Sequence, residues 1–179
     1  GVRDGVPVVF WLIAGIIPWF FISEAITGAG MSIRRNSHLV TRLVYPVATI
    51  PAFSALSLFY AHMMIISVVL AIFILSGQGL GIYVLQLPYY MMCTLVFAVV
   101  AATLFSALTA VSKDAGHLIG SLMTLLFWLT PIIWPLERLN GTLKYIIMLN
   151  PVTYLIQGYR NAFVLERWFF TQWEYTLYF

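Results

Sequence analysis

The stretch GMSIRRNSHLVTRLVYP, residues 30–46, is the one polar segment long enough to separate two apolar blocks of membrane length. It carries Arg34, Arg35 and Arg42, three of the nine Lys and Arg residues in a chain of 179. We interpret it as a cytoplasmic connector. Such a connector is either an inert tether that follows the positive-inside rule or a short helix that binds a soluble partner, and the two alternatives lead to different functions.

The composition excludes an ordinary soluble domain. Hydrophobic residues make up 62% of the chain and charged residues only 8%, whereas about 25% of the residues in a typical soluble domain are charged. The chain is therefore predicted to be an all-α integral membrane protein, a single polytopic bundle of transmembrane helices over residues 1–179. It starts at Gly1 and ends at Phe179 within an aromatic run, so we expect flanking sequence and take the number of spans as a minimum.

Four apolar blocks are long enough to cross a bilayer, since a helical span needs about 20 apolar residues. The predicted spans cover residues 6–28, 47–76, 82–111 and 117–134. Gly77, Gly79 and Gly81 predict a tight turn between the second and third spans, and a short loop at 112–116 joins the third to the fourth. Because two spans separate this loop from the connector, both lie on the same predicted side.

The predicted orientation depends on the character of the loops rather than on a count of Lys and Arg. Five such residues fall on the proposed outer side and four on the inner side. The inner ones sit in short loops, with Asp114 the one acid nearby, whereas the outer ones belong to a segment of mixed charge. We therefore place the connector inside.

Residues 136–170 remain apolar but carry too many charges for a simple span. Asn150 followed by Pro151 is a good N-cap and first-turn pair. The residues that follow separate into an apolar face of Val152, Leu155, Ile156, Tyr159 and Phe163 and a polar face of Thr153, Gln157, Arg160 and Asn161. This pattern predicts an amphipathic helix that lies in the interface or dips into the bilayer and returns. Residues 173–179 look like the start of a further span.

The sequence lacks the residue sets of an enzyme or a metal site. Its three histidines and two aspartates form no plausible catalytic set with a serine, there is no P-loop, and the single cysteine, Cys93, excludes an internal disulfide and a Cys-based metal site. His62 is predicted to be a hydrogen-bonded packing residue rather than a proton relay. Glu24 faces protein or water, or lies at the headgroup level. The net charge of +3 is too small and dispersed to indicate nucleic acid.

Three segments in order resemble one family of membrane proteins. They are PWFFISEAITGAGMSIRRNSHLVTRLVYPVATIP at 18–51, SALTAVSKDAGHLIG at 106–120 and FWLTPIIWPLERLNGTLKYIIMLNPVTYLIQGYRNAF at 127–163. Together they resemble the membrane subunit of type 2 ABC exporters, in the branch that exports lipid-linked polysaccharides such as teichoic acids and O-antigens. The most specific parts are the connector ending in Tyr45 and Pro46, TPIIWP at 130–135, and LNP at 149–151 with Arg160 downstream.

The resemblance implies a multi-pass permease of the bacterial cytoplasmic membrane that pairs with a second copy of itself and with two cytoplasmic ATPase subunits. Those subunits would bind ATP and Mg²⁺, while this chain binds no cofactor and catalyses nothing. Residues 33–45 would be the coupling helix, and its expected ATPase contacts are Arg34, Arg35, Asn36, His38, Leu39, Arg42 and Tyr45. The four blocks would be spans two to five of six. Residues 136–170 would be the re-entrant outer helices, with Asn150, Pro151, Tyr154 and Arg160 at the outer gate.

Aromatic side chains are the candidates for a sugar route, because their faces stack on sugar rings while their polar edges bind hydroxyls. The candidates are Trp11, Trp19, Phe20, Tyr60, Tyr89, Tyr90, Phe127, Trp128 and Trp134. Interface anchoring or core packing is the alternative for each. Two other functions stay open, an exporter of drugs or small lipids and a non-transporting membrane scaffold. A membrane enzyme is the third alternative.

Overall fold

The computed structural model describes residues 2–3, 6–38, 46–77 and 80–178 of the chain. It begins with two short antiparallel strands, β1 (Val2–Arg3) and β2 (Val6–Pro7). The described residues after β2 form helices and the turns that join them, in agreement with the predicted all-α bundle.

Within the described part of the chain, three helices are long and apolar enough to cross a membrane. The first is α1 (Val8–Thr27), continued by a 3-10 turn (Ala29–Met31) and the short helix α2 (Ser32–Arg35). The others are α3 (Thr49–Leu75) and α4 (Leu87–Val111), the latter preceded by a 3-10 turn (Ile82–Gln86). They fall on the predicted blocks at 6–28, 47–76 and 82–111.

The fourth helix, α5 (Lys113–Leu129), does not match its predicted bounds. The predicted loop at 112–116 shrinks to Ser112, whose backbone is extended, and the helix ends five residues before the predicted block does. Its end has a clear cause: Thr130 is extended, with ψ 138°, because the residue before a proline is disfavoured in the α region. At 17 residues α5 is shorter than a full span, so its crossing of the membrane stays a prediction.

The rest of the chain folds into short helices. They are a 3-10 turn (Leu136–Arg138), α6 (Thr142–Met148), α7 (Pro151–Arg160), a π-helical turn (Asn161–Leu165), a second 3-10 turn (Phe169–Gln172) and α8 (Trp173–Tyr178). Glu166 follows the π-helical turn in the left-handed region, with φ 52°. It therefore ends that turn and redirects the chain.

Helix α1 lies at the centre of the bundle and contacts α3, α4, α5 and α7. The main core joins Trp11 and Ile22 of α1 to Leu155, Ile156 and Tyr159 of α7. Helix α7 is buried almost all the way round, with residues 152–156 and 158–160 buried. This burial favours a helix that packs into the bundle over one whose polar face is open to water.

Candidate functional site

The predicted coupling residues begin where α1 ends. Arg34 and Arg35 of α2 are exposed, as is His38, while Asn36 is half-buried and its side-chain amide donates to the Ser32 carbonyl at 2.9 Å. The remaining predicted contacts, Leu39, Arg42 and Tyr45, lie outside the described residues. Three of the four described positions are therefore exposed at the surface.

The start of the connector is hydrogen-bonded to the end of α4. The Thr109 hydroxyl donates to the Gly30 carbonyl at 2.7 Å, and the Ile33 amide donates to the Ser106 hydroxyl at 3.3 Å. Both hydroxyl side chains are buried. These two bonds join the start of the connector to the end of α4. In the sequence, Ser106 is one of four small residues at three- and four-residue spacings, which predict close approach of a neighbouring helix; the others are Ala98, Ala101 and Ala102. Sequence reasoning missed Thr109.

Arg160, one of the predicted outer-gate residues, is fully buried at the end of α7. Its Nη1 donates to the Pro131 carbonyl at 2.6 Å, its Nη2 donates to the Ile132 carbonyl, and its guanidinium carbon lies 3.5 Å from the centre of the Trp11 ring. A cation over an indole face is attracted by the ring's electron distribution. Arg160 thus ties the outer segment both to α1 and to the extended chain after α5.

Asn150 ties the other end of α7 to the same stretch. Its side-chain oxygen accepts from the Val152 amide at 3.0 Å, which is the N-cap predicted from the sequence, and its amide donates to the Thr130 hydroxyl at 3.1 Å. Pro151 occupies the first turn. Both ends of α7 are therefore fixed to residues 130–132, the first half of the TPIIWP segment.

The predicted translocation-path aromatics fall into three groups. Phe20, Tyr60, Tyr89 and Trp128 are exposed, Phe127 and Trp134 are half-buried, and Trp11, Trp19 and Tyr90 are buried in the core. The Trp19 and Phe127 rings lie 5.7 Å apart, and the Trp134 indole donates to the Trp128 carbonyl at 3.0 Å. The buried members pack the bundle, so a role for them in a path requires movement and stays a prediction.

Tyr154, the fourth predicted outer-gate residue, meets the path candidate Tyr89. Their hydroxyls are 3.1 Å apart, and the Tyr154 hydroxyl also lies 3.4 Å from the Thr176 hydroxyl. The Tyr89 ring stacks on Phe169 at 5.0 Å. Phe169 belongs to a run of aromatic residues that predicts an interfacial girdle, made of Trp168, Phe169, Phe170 and Trp173. Its contact with Tyr89 and the role of Thr176 were not predicted, because contacts between distant segments leave no local pattern.

Comparison with known proteins agrees with this geometry. The profile of the ABC-2 type transporter family matches residues 2–164. The chain belongs to the ABC-2 type transporter family. The matched region contains the connector, the TPIIWP and LNP segments and Arg160, so the match confirms the resemblance found in the sequence.

Two curated relatives of this ABC-2 family member are O-antigen export system permease proteins RfbA. The one from Myxococcus xanthus is 22% identical over 160 residues, which are 88% of this chain and 62% of the relative. The one from Klebsiella pneumoniae is 22% identical over 155 residues, which are 86% of this chain and 60% of the relative. The chain therefore spans about three fifths of the length of these relatives.

Two polar contacts inside the ABC-2 bundle complete the site. Nε2 of His62 lies 2.8 Å from the Tyr159 hydroxyl, and the Phe21 ring stacks on the imidazole at 4.8 Å, which agrees with the packing role predicted for His62. The Gln86 side chain donates to the Arg167 carbonyl at 2.7 Å and accepts from the Phe169 amide at 2.9 Å. Gln86, which sequence reasoning missed, thus holds the end of the outer segment to α4.

The described part of the chain offers no grouping of three or more His, Cys, Asp or Glu side chains that could hold a metal ion. Cys93 is a free, half-buried thiol in α4. The polar contacts of the site serve to join helices. This arrangement suits a helical membrane protein of the ABC-2 family.

Proposed function

We propose that the chain is the membrane-spanning permease subunit of an ATP-driven exporter that moves a lipid-linked polysaccharide, of the teichoic acid or O-antigen type, across the bacterial cytoplasmic membrane. Membership of the ABC-2 family supports the transport class. The names of the curated relatives support the class of substrate. The observation that carries the proposal is the start of the connector, where Arg34 and Arg35 are exposed. This part is hydrogen-bonded to α4 through Thr109 and Ser106.

The energy for transport comes from other chains. We propose two cytoplasmic ATPase subunits, which bind ATP and Mg²⁺, and a second copy of this subunit beside the first. The sequence supports a separate ATPase because it contains no P-loop. The exposed Arg34, Arg35 and His38 supply a basic, polar surface for that partner, and Leu39, Arg42 and Tyr45 are proposed to extend it.

The mechanism begins at α2. When the ATPases close on ATP, they push α2, and the contacts from Gly30 and Ile33 to the end of α4 carry that movement into the bundle. A shift of α3 and α4 against α1 opens a route between the two permease copies. Exposed aromatic side chains such as Phe20, Tyr60 and Trp128 suit this route because they stack on sugar rings.

The outer segment acts as the gate at the far end of the route. Arg160 and Asn150 fix α7 to residues 130–132, so we propose that α7 moves together with α1 and the end of α5. The link between Tyr154 and Tyr89 joins this unit to α4. A shift of α4 relative to α1 would break that link first and open the outer mouth.

The test uses the full-length protein reconstituted in liposomes with its candidate ATPase. ATP hydrolysis and the export of a lipid-linked oligosaccharide are measured for the native protein, Arg34→Glu and Arg35→Glu. The matched control is Arg138→Glu, an exposed arginine of the outer segment. We expect both connector reversals to lower ATPase binding and export, and the control to leave both unchanged.

Each of the other functions has its own outcome in this experiment. If the ATPase binds and hydrolyses ATP at the native rate with both connector variants, the connector is a tether and the proposed coupling is wrong. If drugs or small lipids are exported and the oligosaccharide is not, the substrate class is wrong. If no ATPase binds the native protein, the scaffold interpretation replaces the exporter.

A further inference from the structure

A cleft between α1 and α3 has two adjacent compartments of different character. The first, of about 290 Å³, is walled mainly by apolar side chains such as Ile17, Phe20 and Ile65. The second, of about 430 Å³, contains most of the polar groups. Glu24 and Leu58 line both compartments, so the two form one amphipathic surface. Their volumes are close to the range of small-molecule sites, about 300–1,000 Å³.

The two compartments lie at different expected depths in the bilayer. Glu24 lies three residues before the end of α1 and Ile17 lies seven residues before Glu24. With a rise of about 1.5 Å per residue, the apolar compartment extends about 10 Å from the level of the carboxylate along the axis of α1. Ser54 and Ser57 line the polar compartment near the start of α3, and Ile65 lines the apolar one further along. The polar part is therefore at the connector end and the apolar part runs towards the middle of the span.

Two opposite charges flank the polar compartment. Glu24 of α1 and Arg35 of α2 both line it, and both side chains are exposed. Gly28 keeps the space beside the acid open, because a Cβ there would come within 3.4 Å of Glu24 Oε1 and 2.8 Å of the Glu24 carbonyl oxygen. A ligand in this compartment thus meets one anion and one cation.

A buried hydroxyl at the same place points to a polar ligand. Ser32 lines the polar compartment and is only 3% exposed. Its hydroxyl oxygen forms no hydrogen bond with any residue that the structure describes. Buried hydroxyls nearly always have a partner, so the Ser32 hydroxyl leaves a hydrogen-bonding capacity at the wall of this compartment that no described residue uses.

We propose that this cleft binds a bilayer phospholipid whose headgroup carries both a phosphate and an ammonium group. Arg35 faces the phosphate, Glu24 faces the ammonium, and Ser32 donates to a headgroup oxygen, while one lipid chain follows the apolar compartment past Ile17 and Ile65. A purely anionic headgroup would pair with Arg35 but would offer the Glu24 carboxylate no cationic group. The zwitterion is therefore the better fit.

The test measures lipid retention by the full-length protein without any ATPase, so its result is independent of the proposed export. The purified protein is exchanged into an equimolar mixture of phosphatidylethanolamine, phosphatidylglycerol and a polyprenyl phosphate, and the bound lipids are counted by native mass spectrometry. The variants are Glu24→Gln and Arg35→Gln, with the neighbouring exposed Arg34→Gln as the control outside the cleft.

We expect the native protein to retain phosphatidylethanolamine about two- to fivefold more than phosphatidylglycerol, the factor that an exposed ion pair supplies. Glu24→Gln should abolish this preference, Arg35→Gln should lower the retention of both lipids, and Arg34→Gln should change neither. The same preference in the native protein and in Glu24→Gln would overturn the proposal. A polyprenyl phosphate that displaces phosphatidylethanolamine from the native protein would overturn it too, in favour of a carrier-lipid site.

A second pair of variants tests the apolar compartment. Ala61 lines it and is exposed, while Ala71 is an exposed alanine further along α3 that does not line it. Ala61→Trp should lower retention of phosphatidylethanolamine, and Ala71→Trp should not. Equal retention by the two variants, with unchanged helical content, would contradict the proposed path of the lipid chain.

Discussion

The guanidinium carbon of Arg160 lies 3.5 Å from the centre of the Trp11 ring, although the two residues stand near opposite ends of the chain. The same guanidinium donates to the carbonyls of Pro131 and Ile132. One side chain thus joins three separate segments: the start of α1, the chain after α5 and the end of α7.

Replacing Arg160 should destabilise the protein more than most single substitutions. We expect Arg160→Ala to lower the free energy of unfolding by about 2–4 kcal/mol, because hydrogen bonds to a charged group contribute about 1.5–3 kcal/mol and a desolvated cation–π contact about 2 kcal/mol. The free energy of unfolding of Arg160→Lys should lie between those of the native protein and Arg160→Ala, since an ammonium lacks the planar, two-pronged donor geometry of a guanidinium. Denaturation of the full-length protein in mixed micelles measures both. An effect no larger than that of Arg138→Ala, an exposed arginine, would contradict the assigned role.

Even the small substitution Gly15→Ala should destabilise the protein. A Cβ at this position would lie 2.6 Å from Nη2 of Arg160, so Gly15→Ala must displace the guanidinium, and we expect a loss of about 1–3 kcal/mol in the free energy of unfolding. The matched control is Gly120→Ala, where an added Cβ meets no atom within 4 Å. The control should stabilise α5 by up to about 1 kcal/mol, since alanine is the better helix former. Effects of equal sign on the thermal midpoint would refute the close packing at Gly15.

The hydrogen bond between Tyr159 and His62 can be removed without changing much volume. Tyr159→Phe leaves the buried imidazole without this partner, which is 2.8 Å away in the native protein, and should cost about 1–3 kcal/mol. Tyr60→Phe removes the hydroxyl of an exposed tyrosine on the same helix as His62 and should stay within about 0.5 kcal/mol of native. Unfolding in mixed micelles compares the two, and similar losses would mean that the contact contributes little.

Thr109 should matter for coupling rather than for stability alone. Thr109→Val keeps the shape of the side chain but removes its bond to the Gly30 carbonyl, so movement of α2 reaches α4 less directly. We expect oligosaccharide export per ATP hydrolysed to fall about fivefold, the factor that corresponds to a hydrogen bond of about 1 kcal/mol. Thr103→Val, which removes a bond within α4 itself, is the control. If both variants export at the native ratio, α2 is coupled to the bundle by another route.

Asn150 has two roles that substitution can separate. Asn150→Ala removes both the cap of α7 and the bond to Thr130 and should cost at least about 1 kcal/mol. Asn150→Asp keeps the acceptor for the Val152 amide and loses only the donor to Thr130, so it should cost less. Asn140→Ala, at an exposed asparagine, should have little effect. The order of the three thermal midpoints is the readout, and an aspartate variant as unstable as the alanine variant would show that the Thr130 bond dominates.

The three long apolar helices were predictable because their cause is local. A run of apolar residues near 20 long predicts a helix of membrane length, and α1, α3 and α4 follow the apolar blocks closely. The bounds of α5 differ from the predicted 117–134, because block length alone does not show that Thr130 must leave the helix ahead of Pro131. The single-residue break at Ser112 has no comparable signal in the sequence.

The cap at Asn150 was predictable for the same local reason, whereas the setting of Arg160 was not. Helical periodicity placed Arg160 on the polar face of α7, but it does not distinguish a face that meets water from one that meets other protein groups. The partners of Arg160 are backbone carbonyls, which every residue possesses, so no residue type marks them. Gln86 and Thr109 were missed because their acceptors and donors are also backbone groups.

The break in the chain after Leu129 has an evolutionary consequence. Free backbone carbonyls and a buried cation are each costly in an apolar bundle, but here the carbonyls of Pro131 and Ile132 accept from Arg160. A substitution that continued the α5 helix through these residues would withdraw the acceptors, and loss of Arg160 would leave the carbonyls without this donor. A substitution that affects only one of these two features is therefore unfavourable. The helix break and Arg160 should be retained together, or lost together, among related proteins.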